Sequence, residues 1–418
     1  MNTGMEVVAR EARAASKLVA DLSAETKRAV LIDLANRIDR ERNAILEANA
    51  RDMREATAAG LDTPKLRRLE LTEMGLDQLS QGLRQIAELP DPVGEITRET
   101  IVPSGLRVSR VRTPLGVIAM IYEARPGVTI DAFALCFKSG NACILKGGKE
   151  AAYSNAFLAD LVRQSLLAHG APEHAIAVVT SSDREELKHL LTLSDEIDLV
   201  IPRGGEALIR FVHEHSRIPT IQHFKGVCHV YVDKDADFGM ALQIVTTGKS
   251  SAPATCNSTE CALVHADVAE RFIPDLINRC AELGITIRGD ERVLALAGGI
   301  ANVEAARASD WGSEFLDLIL AVRIADTMED ALSHITRYTS DHTEAIVTRN
   351  ERTAEEFCRR VRSSCVLVNA STRFNDGFQL GLGAELGIST TRLHAYGPMG
   401  LEGLTIERFV VHGEGQTR

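Results

Sequence analysis

Leu115-Gly-Val-Ile-Ala-Met-Ile-Tyr122 is an apolar run of strand length, closed off by Pro114 on one side and followed by a helical pattern on the other. A strand covered on both faces shows no alternation of apolar and polar residues, so such a run points to a parallel sheet between layers of helix. Ala142 to Leu145, Ile176 to Val179, Ile197 to Ile201 and Cys228 to Val232 repeat the pattern, with helical stretches between them. It resumes at Cys261 to Val264, Leu318 to Ile324, Glu344 to Val347 and Cys365 to Asn369. The expected fold class is therefore α/β, with two doubly wound domains and the second starting near residue 235.

Upstream, Leu31, Leu34 and Ile38 recur at helical spacing, predicting helix from Ser23 to about Gly60. Leu66 to Leu89 repeats the pattern until Pro90-Asp-Pro-Val-Gly94 stops it. Thr97 to Pro114 alternates through Ile101, Leu106, Val108 and Val111 and breaks at Pro103-Ser-Gly105, which predicts a hairpin. A two-stranded hairpin is marginal alone, so it should pair with another subunit or with the chain's own end.

The chain has 418 residues, of which 45% are hydrophobic and 25% charged, enough for two or three domains. A net charge of -11, with no Lys/Arg run longer than a pair, argues against a nucleic-acid or anionic-membrane surface. Eight cysteines without a C-x-x-C pair suggest neither a disulfide framework nor a zinc site. His213 and His215 stand two apart, but no H-E-x-x-H accompanies them, so no metal is expected. No apolar run approaches bilayer length. The expected setting is cytoplasmic.

Cys256 lies in Ser250-Ser-Ala-Pro-Ala-Thr-Cys-Asn-Ser-Thr-Glu260, a loop of small and polar residues between a helical pattern and an apolar strand. Those residues alone leave it either a nucleophile or a free core cysteine. Ile144-Leu-Lys-Gly-Gly-Lys-Glu150 and Ile201-Pro-Arg-Gly-Gly205 follow strands and could cradle phosphate, or could simply turn the chain; neither has P-loop or G-x-G-x-x-G spacing. Gly381-Leu-Gly-Ala-Glu-Leu-Gly387 also misses that spacing. Arg373 sits in a polar loop after a strand, a common place for anion recognition.

Several strings together carry a family resemblance: Gly116-Val-Ile-Ala-Met-Ile-Tyr-Glu-Ala-Arg-Pro126, Leu145-Lys-Gly-Gly-Lys-Glu150, Ile201-Pro-Arg-Gly-Gly205, Gly226-Val-Cys-His-Val-Tyr-Val-Asp233, Thr255-Cys-Asn257, Asn369-Ala-Ser-Thr-Arg-Phe374 and His394 to Leu401. From about Ala15 to Arg408 the chain resembles the γ-glutamyl phosphate reductases, or glutamate-5-semialdehyde dehydrogenases, of the aldehyde dehydrogenase superfamily. The resemblance implies reduction of L-glutamyl 5-phosphate by NADPH to glutamate 5-semialdehyde, phosphate and NADP+, the second step of proline biosynthesis from glutamate. Another acylating or oxidising aldehyde dehydrogenase acting on a small semialdehyde is the alternative.

The same resemblance assigns residues. Cys256 would be the nucleophile, with Asn257 beside it as a second catalytic residue. Lys146 matches the lysine at the adenosine ribose, in one turn with Gly147. Lys149 stands where a cation would suit a 2′-phosphate, Arg203, Gly204 and Gly205 form the turn over the pyrophosphate, and Glu314 holds the nicotinamide ribose. Arg125, Ser371 and Arg373 are candidates for the substrate's anionic groups. By register His223 replaces the glutamate that activates water in aldehyde-oxidising members, which favours reduction of a thioester over its hydrolysis. Ala124 replaces the oxyanion-hole asparagine, leaving the backbone N–H of Cys256 as oxyanion donor.

The implied architecture is an NADP(H)-binding domain over residues 1–96 and 114–234, a catalytic domain over 235–399, and a small β oligomerisation flap from 97–113 and 400–418. Implied partners are a further copy of the chain and glutamate 5-kinase, since glutamyl phosphate is labile in water.

Overall fold

The structure is a computed structural model describing residues 4–418 apart from Ser182, His223 and Ala301. The chain divides into two compact units: Met1–Gln222 with Gly381–Gly387 and Met399–Arg418, and His223–Leu380 with Ile388–Pro398. Among the described residues, no helix is long and apolar enough to cross a membrane.

The first unit carries β1 (Ile96–Ile101), β2 (Arg107–Pro114), β3 (Val117–Tyr122), β4 (Ala142–Lys146), β5 (Ile176–Val178) and β6 (Leu199–Arg203). The second carries β7 (Cys228–Val232), β8 (Thr259–His265), β9 (Thr286–Gly289), β10 (Val303–Ala305), β11 (Ile319–Ala325), β12 (Thr343–Val347), β13 (Cys365–Val368) and a short ribbon, β14 (Ile388–Ser389) and β15 (Gly397–Pro398). The last strand, β16 (Thr405–His412), returns to the first unit.

In the first unit a parallel sheet runs β5-β4-β3-β6. The run that opened the sequence reading becomes β3, buried at every position as a two-faced central strand should be. Its chain direction reverses sides here: β4 and β5 lie to one side, β6 to the other. The carboxyl ends of β3 and β6 thus meet, with Tyr122 opposite Arg203, at the kind of switch point where open α/β sheets hold ligands. Gly116 enters β3 at φ 126°, and a Cβ there would lie 2.2 Å from Asp198 Oδ2. That carboxylate accepts from Val117 N and from Arg13 Nη1, both at 2.7 Å, so only glycine lets the strand start against it.

The helices differ from expectation in two ways. The 23–60 segment is two helices, Ala24–Arg40 and Arg42–Ala58, which meet at Glu41; the 66–89 segment breaks likewise, and Thr72 caps Glu73–Glu88 by accepting from Gly75 N. A further helix, Gly4–Ala20, packs Ala9 and Ala12 against Val117, Ala119 and Ile144. Its buried face is mostly alanine, a weak apolar signal.

A separate antiparallel sheet, β1-β2-β16, joins the expected hairpin to the C-terminal strand, with Thr405 opposite Pro114 and His412 opposite Arg107.

In the second unit a seven-stranded parallel sheet runs β10-β9-β11-β8-β7-β12-β13. Cys228–Val232, grouped by sequence with the earlier strands, pairs instead with β8 and β12, so this sheet begins before residue 235. Helix Ala266–Glu282 buries Phe272, Ile273 and Leu276 on one side, and Phe357 and Ile335 cover the other. β9 and β10 escaped the sequence reading because Thr-Ile-Arg-Gly and Val-Glu-Ala are too short and polar to stand out, β10 being the edge strand and β9 the next one in.

Candidate active site

Cys256 is partly exposed and lies just before β8, at the amino ends of the strands in its sheet. Helix Phe238–Ser250 runs into this loop by its carboxyl end, whose partial negative charge does not favour a thiolate. The loop is held by side chains instead. Cys228 Sγ donates to Cys256 O at 3.2 Å, and a Cβ on Gly226 would lie 1.9 Å from that same carbonyl oxygen. Arg373 Nη1 donates to Thr255 Oγ1 at 2.8 Å, bringing a guanidinium to the residue next to Cys256.

Asn257 is buried, and its amide is fully engaged: Nδ2 donates to Asn375 O at 3.0 Å and Oδ1 accepts from Thr255 Oγ1 at 3.1 Å. These bonds give Asn257 a positioning role in the loop of Cys256. Its bonds tie the loop of Cys256 to the loop of Arg373. Ser371 Oγ accepts from Arg373 N at 3.4 Å and so helps to close the turn Thr372–Phe374. Thr259 Oγ1 and Thr372 Oγ1 lie 3.0 Å apart, another bond between the same two loops.

Glu314 is half-buried after the turn Asp310–Gly312, whose Gly312 O accepts from Lys225 Nζ at 2.8 Å. It lies near Glu260, which faces Lys249 Nζ at 2.8 Å in a wholly buried pair. Burial pushes the Glu260 carboxyl up to about 7; Lys249 opposes that shift and Glu314 adds to it. His223 lies outside the described residues.

Sequence reasoning missed a buried polar group behind this region. His229 and Cys261 are cross-strand neighbours on β7 and β8, and they meet His334 of helix Met328–Tyr338, with ligand-type atoms all within 4.8 Å. His229 Nδ1 is 2.9 Å from Glu344 Oε2, and Cys261 Sγ is 3.8 Å from His334 Nε2. The register of β7 on β8 and β12 brings His229, Cys261 and Glu344 together, and helix Met328–Tyr338 adds His334.

The expected cofactor residues of the first unit stand at the carboxyl ends of β4 and β6. Lys146 ends β4 and donates to Gly147 O at 2.8 Å; burial lowers its pKa, and Glu150 opposes the shift. A Cβ on Gly147 would lie 2.2 Å from Asn155 Nδ2 and 3.2 Å from the Tyr122 ring, so the turn needs glycine. Tyr122, Thr129 and Asn155 form a buried hydrogen-bonded chain beneath it, none of which the sequence singled out. Lys149 is exposed, as is Arg125. Arg203 ends β6, and Gly204 and Gly205 lead into helix Glu206–His215. Gly205 N donates to Glu123 Oε2 at 3.1 Å, so a carboxylate occupies the helix start where the resemblance expects pyrophosphate. A nucleotide fits the glycine turn beside Lys146; phosphate at Gly205 requires Glu123 to turn aside.

The sequence profile of the aldehyde dehydrogenase family matches residues 3–294. The chain belongs to that family, a class of oxidoreductases, and within it to the γ-glutamyl phosphate reductases. The particular likeness is to γ-glutamyl phosphate reductase of Xanthomonas campestris, 52% identical over 411 residues and covering 98% of this chain and 99% of that one. Its counterpart in Xylella fastidiosa is 50% identical over 98% of this chain and 94% of that one. The crystal structure of γ-glutamyl phosphate reductase from Thermotoga maritima superposes with a TM-score of 0.96 at 36% identity, covering 100% of both chains.

Proposed function

We propose that this protein reduces L-glutamyl 5-phosphate to L-glutamate 5-semialdehyde with NADPH, releasing phosphate in the second step of proline biosynthesis. The observation that carries this reading is the loop of Cys256, its carbonyl bonded by Cys228 and closely packed by Gly226, and its neighbour Thr255 bonded by Arg373. Clamped in this way, a thiolate can be presented to an acyl carbon in one orientation.

Cys256 Sγ attacks the acyl carbon, the acyl-oxygen bond to phosphate breaks, and a thioester remains. Phosphate leaves readily, so the site needs no strong acid for this step. The backbone N–H of Cys256 faces the developing oxyanion. A bound nicotinamide nucleotide supplies the hydride. The resulting thiohemiacetal on Cys256 collapses to aldehyde and thiolate. Asn257 and Cys228 hold the backbone that carries the sulfur, Lys146, Gly147, Arg203, Gly204 and Gly205 bind the nucleotide, and Glu314 orients its ribose. Lys149 favours a 2′-phosphate, and hence NADPH over NADH, by charge.

The first unit is then the cofactor-binding part and the second the catalytic part. The sheet β1-β2-β16 serves as an oligomerisation flap: its outer strand β1 is exposed along its whole length, and Ile101, Phe409 and Val411 are exposed apolar groups that a second copy would cover. The enzyme works in the cytoplasm, where its eight free cysteines stay reduced, and association with glutamate 5-kinase would shield the labile substrate.

The test is oxidation of glutamate semialdehyde with NADP+, with and without inorganic phosphate. Turnover should require phosphate; turnover indifferent to phosphate overturns the assignment.

A further inference from the structure

Arg373 and Asp376 line one cavity of about 330 Å3 together with Ser251, Phe374 and Gln379. This volume is at the lower end of small-molecule sites and suits a short amino acid chain. The two charges face the same space, three residues apart in one loop, yet among the described residues no ion pair joins them. Each is held by another group. Arg373 Nη1 is drawn to Thr255 Oγ1 at 2.8 Å, which leaves most of its N–H fork available. Asp376 Oδ1 accepts from Phe378 N at 3.0 Å and Gln379 N at 3.2 Å, which fixes the carboxylate and leaves Oδ2 without a donor among the described residues.

A lone cation in such a cavity would suit any anion, including the phosphate of the substrate. A carboxylate beside it changes the expectation, because Asp376 repels phosphate dianion but complements an ammonium. An α-amino acid carries a carboxylate and an ammonium on one carbon, so a cation and an anion held apart in one cavity match its two charges. The Phe374 ring, 48% exposed, offers an apolar surface to the methylenes between them and the reacting carbon. The bonds from Asn257 Nδ2 to Asn375 O and from Arg373 to Thr255 place this charge-reading loop directly against the neighbours of the nucleophile.

We propose that Arg373 binds the substrate's α-carboxylate and Asp376 its α-ammonium, so that this pair sets specificity for an α-amino acid over its deaminated analogue. The proposal rests on the reductase reading above and adds the residues that recognise the end of the substrate remote from the chemistry.

The experiment compares glutamate semialdehyde with 5-oxopentanoate, which keeps the carboxylate and lacks the ammonium, in the phosphate-dependent oxidation by wild type, Asp376→Asn and Arg373→Met. Loss of a charged partner for the ammonium should lower kcat/KM of Asp376→Asn for glutamate semialdehyde by about 100-fold, mainly through KM, and for 5-oxopentanoate by less than about threefold. Arg373→Met should lower both substrates together. Equal losses on both substrates in Asp376→Asn, or no loss, overturn the proposal. So does an Arg373→Met variant in which only the KM for phosphate rises. Calorimetry with L-glutamate and glutarate separates this idea from the reductase assignment. Preference for glutamate that vanishes in Asp376→Asn supports the subsite even if no wild-type turnover is found. Equal binding of the two by wild type overturns it even if the reductase activity is present.

Discussion

The two units place their functional loops at opposite ends of their sheets. In the first, Lys146 and Arg203 end parallel strands, and the residues beyond them, Lys149, Gly204 and Gly205, are exposed. In the second, Cys256 precedes its strand in a tied loop: Cys228 bonds its carbonyl, Gly226 packs closely against that carbonyl, Arg373 bonds Thr255, and Asn257 bonds Asn375. A binding surface that reads charge tolerates looseness, because electrostatic attraction falls off slowly with distance. A nucleophile does not, since an ångström of misplacement can cost two orders of magnitude in rate. Carboxyl ends of strands come with helix starts that favour anions; at the amino ends the protein must build its anchorage from side chains.

That contrast can be broken most sharply at two glycines. In Gly226→Ala the new Cβ meets backbone of Cys256, which cannot yield, whereas in Gly204→Ala it meets the side chains of Leu208 and Glu123, which can. Gly226→Ala should lower kcat by about 100-fold or more and cost about 2 kcal/mol of stability, while Gly204→Ala should change kcat/KM by less than about tenfold. Steady-state kinetics with denaturant unfolding of both variants decides it, and equal losses would erase the distinction.

A pH measurement tests the packing behind the clamped loop. His334 is held at a pKa of about 3, chiefly by burial and then by His229 and Arg323, against 6.5 when unfolded. The folded state therefore keeps it neutral, and its contribution is present above pH 6.5 and lost as pH falls toward 3. Between pH 7 and pH 5 the wild type should lose about 2 kcal/mol more stability than His334→Gln, read from urea midpoints at each pH. Parallel curves would mean that His334 is protonated in the folded protein.

The smallest effect belongs to the open side. Lys149→Ala should raise KM for NADPH by about tenfold, leave kcat nearly unchanged and leave NADH kinetics alone, because an exposed cation contributes modestly. An equal rise for both cofactors would remove Lys149 from the 2′-phosphate.

Much of the fold was legible. The buried runs of β3, β7, β8 and β12 are strongly apolar and stand out without any alignment, and Pro103-Ser-Gly105 marks the hairpin turn. The break at Glu41 was hidden because helical spacing continues through it, and β9 and β10 because they are only four and three residues long and carry polar side chains. At the site, the strings around Cys256, Lys146 and Arg203 were visible as strings. The contacts of Gly226, Cys228 and Thr255 around Cys256 were not, nor were those of Tyr122, Thr129 and Asn155 under the glycine turn.

By itself the sequence determined that this chain builds layered parallel sheets, because continuous apolar runs between helices have few other ways to be buried. It also supplied the thiol, the cations and the glycines, with a resemblance that pointed to their chemistry. Only the tertiary structure decided which strands share a sheet and which residues hold the loop of Cys256. It moved Cys228–Val232 into the second unit, tied Asn257 to the loop of Arg373, and set Arg373 and Asp376 in one cavity without an ion pair between them. Such relations join residues up to more than a hundred positions apart, and hydrogen bonding and close approach across that distance leave no local pattern to read.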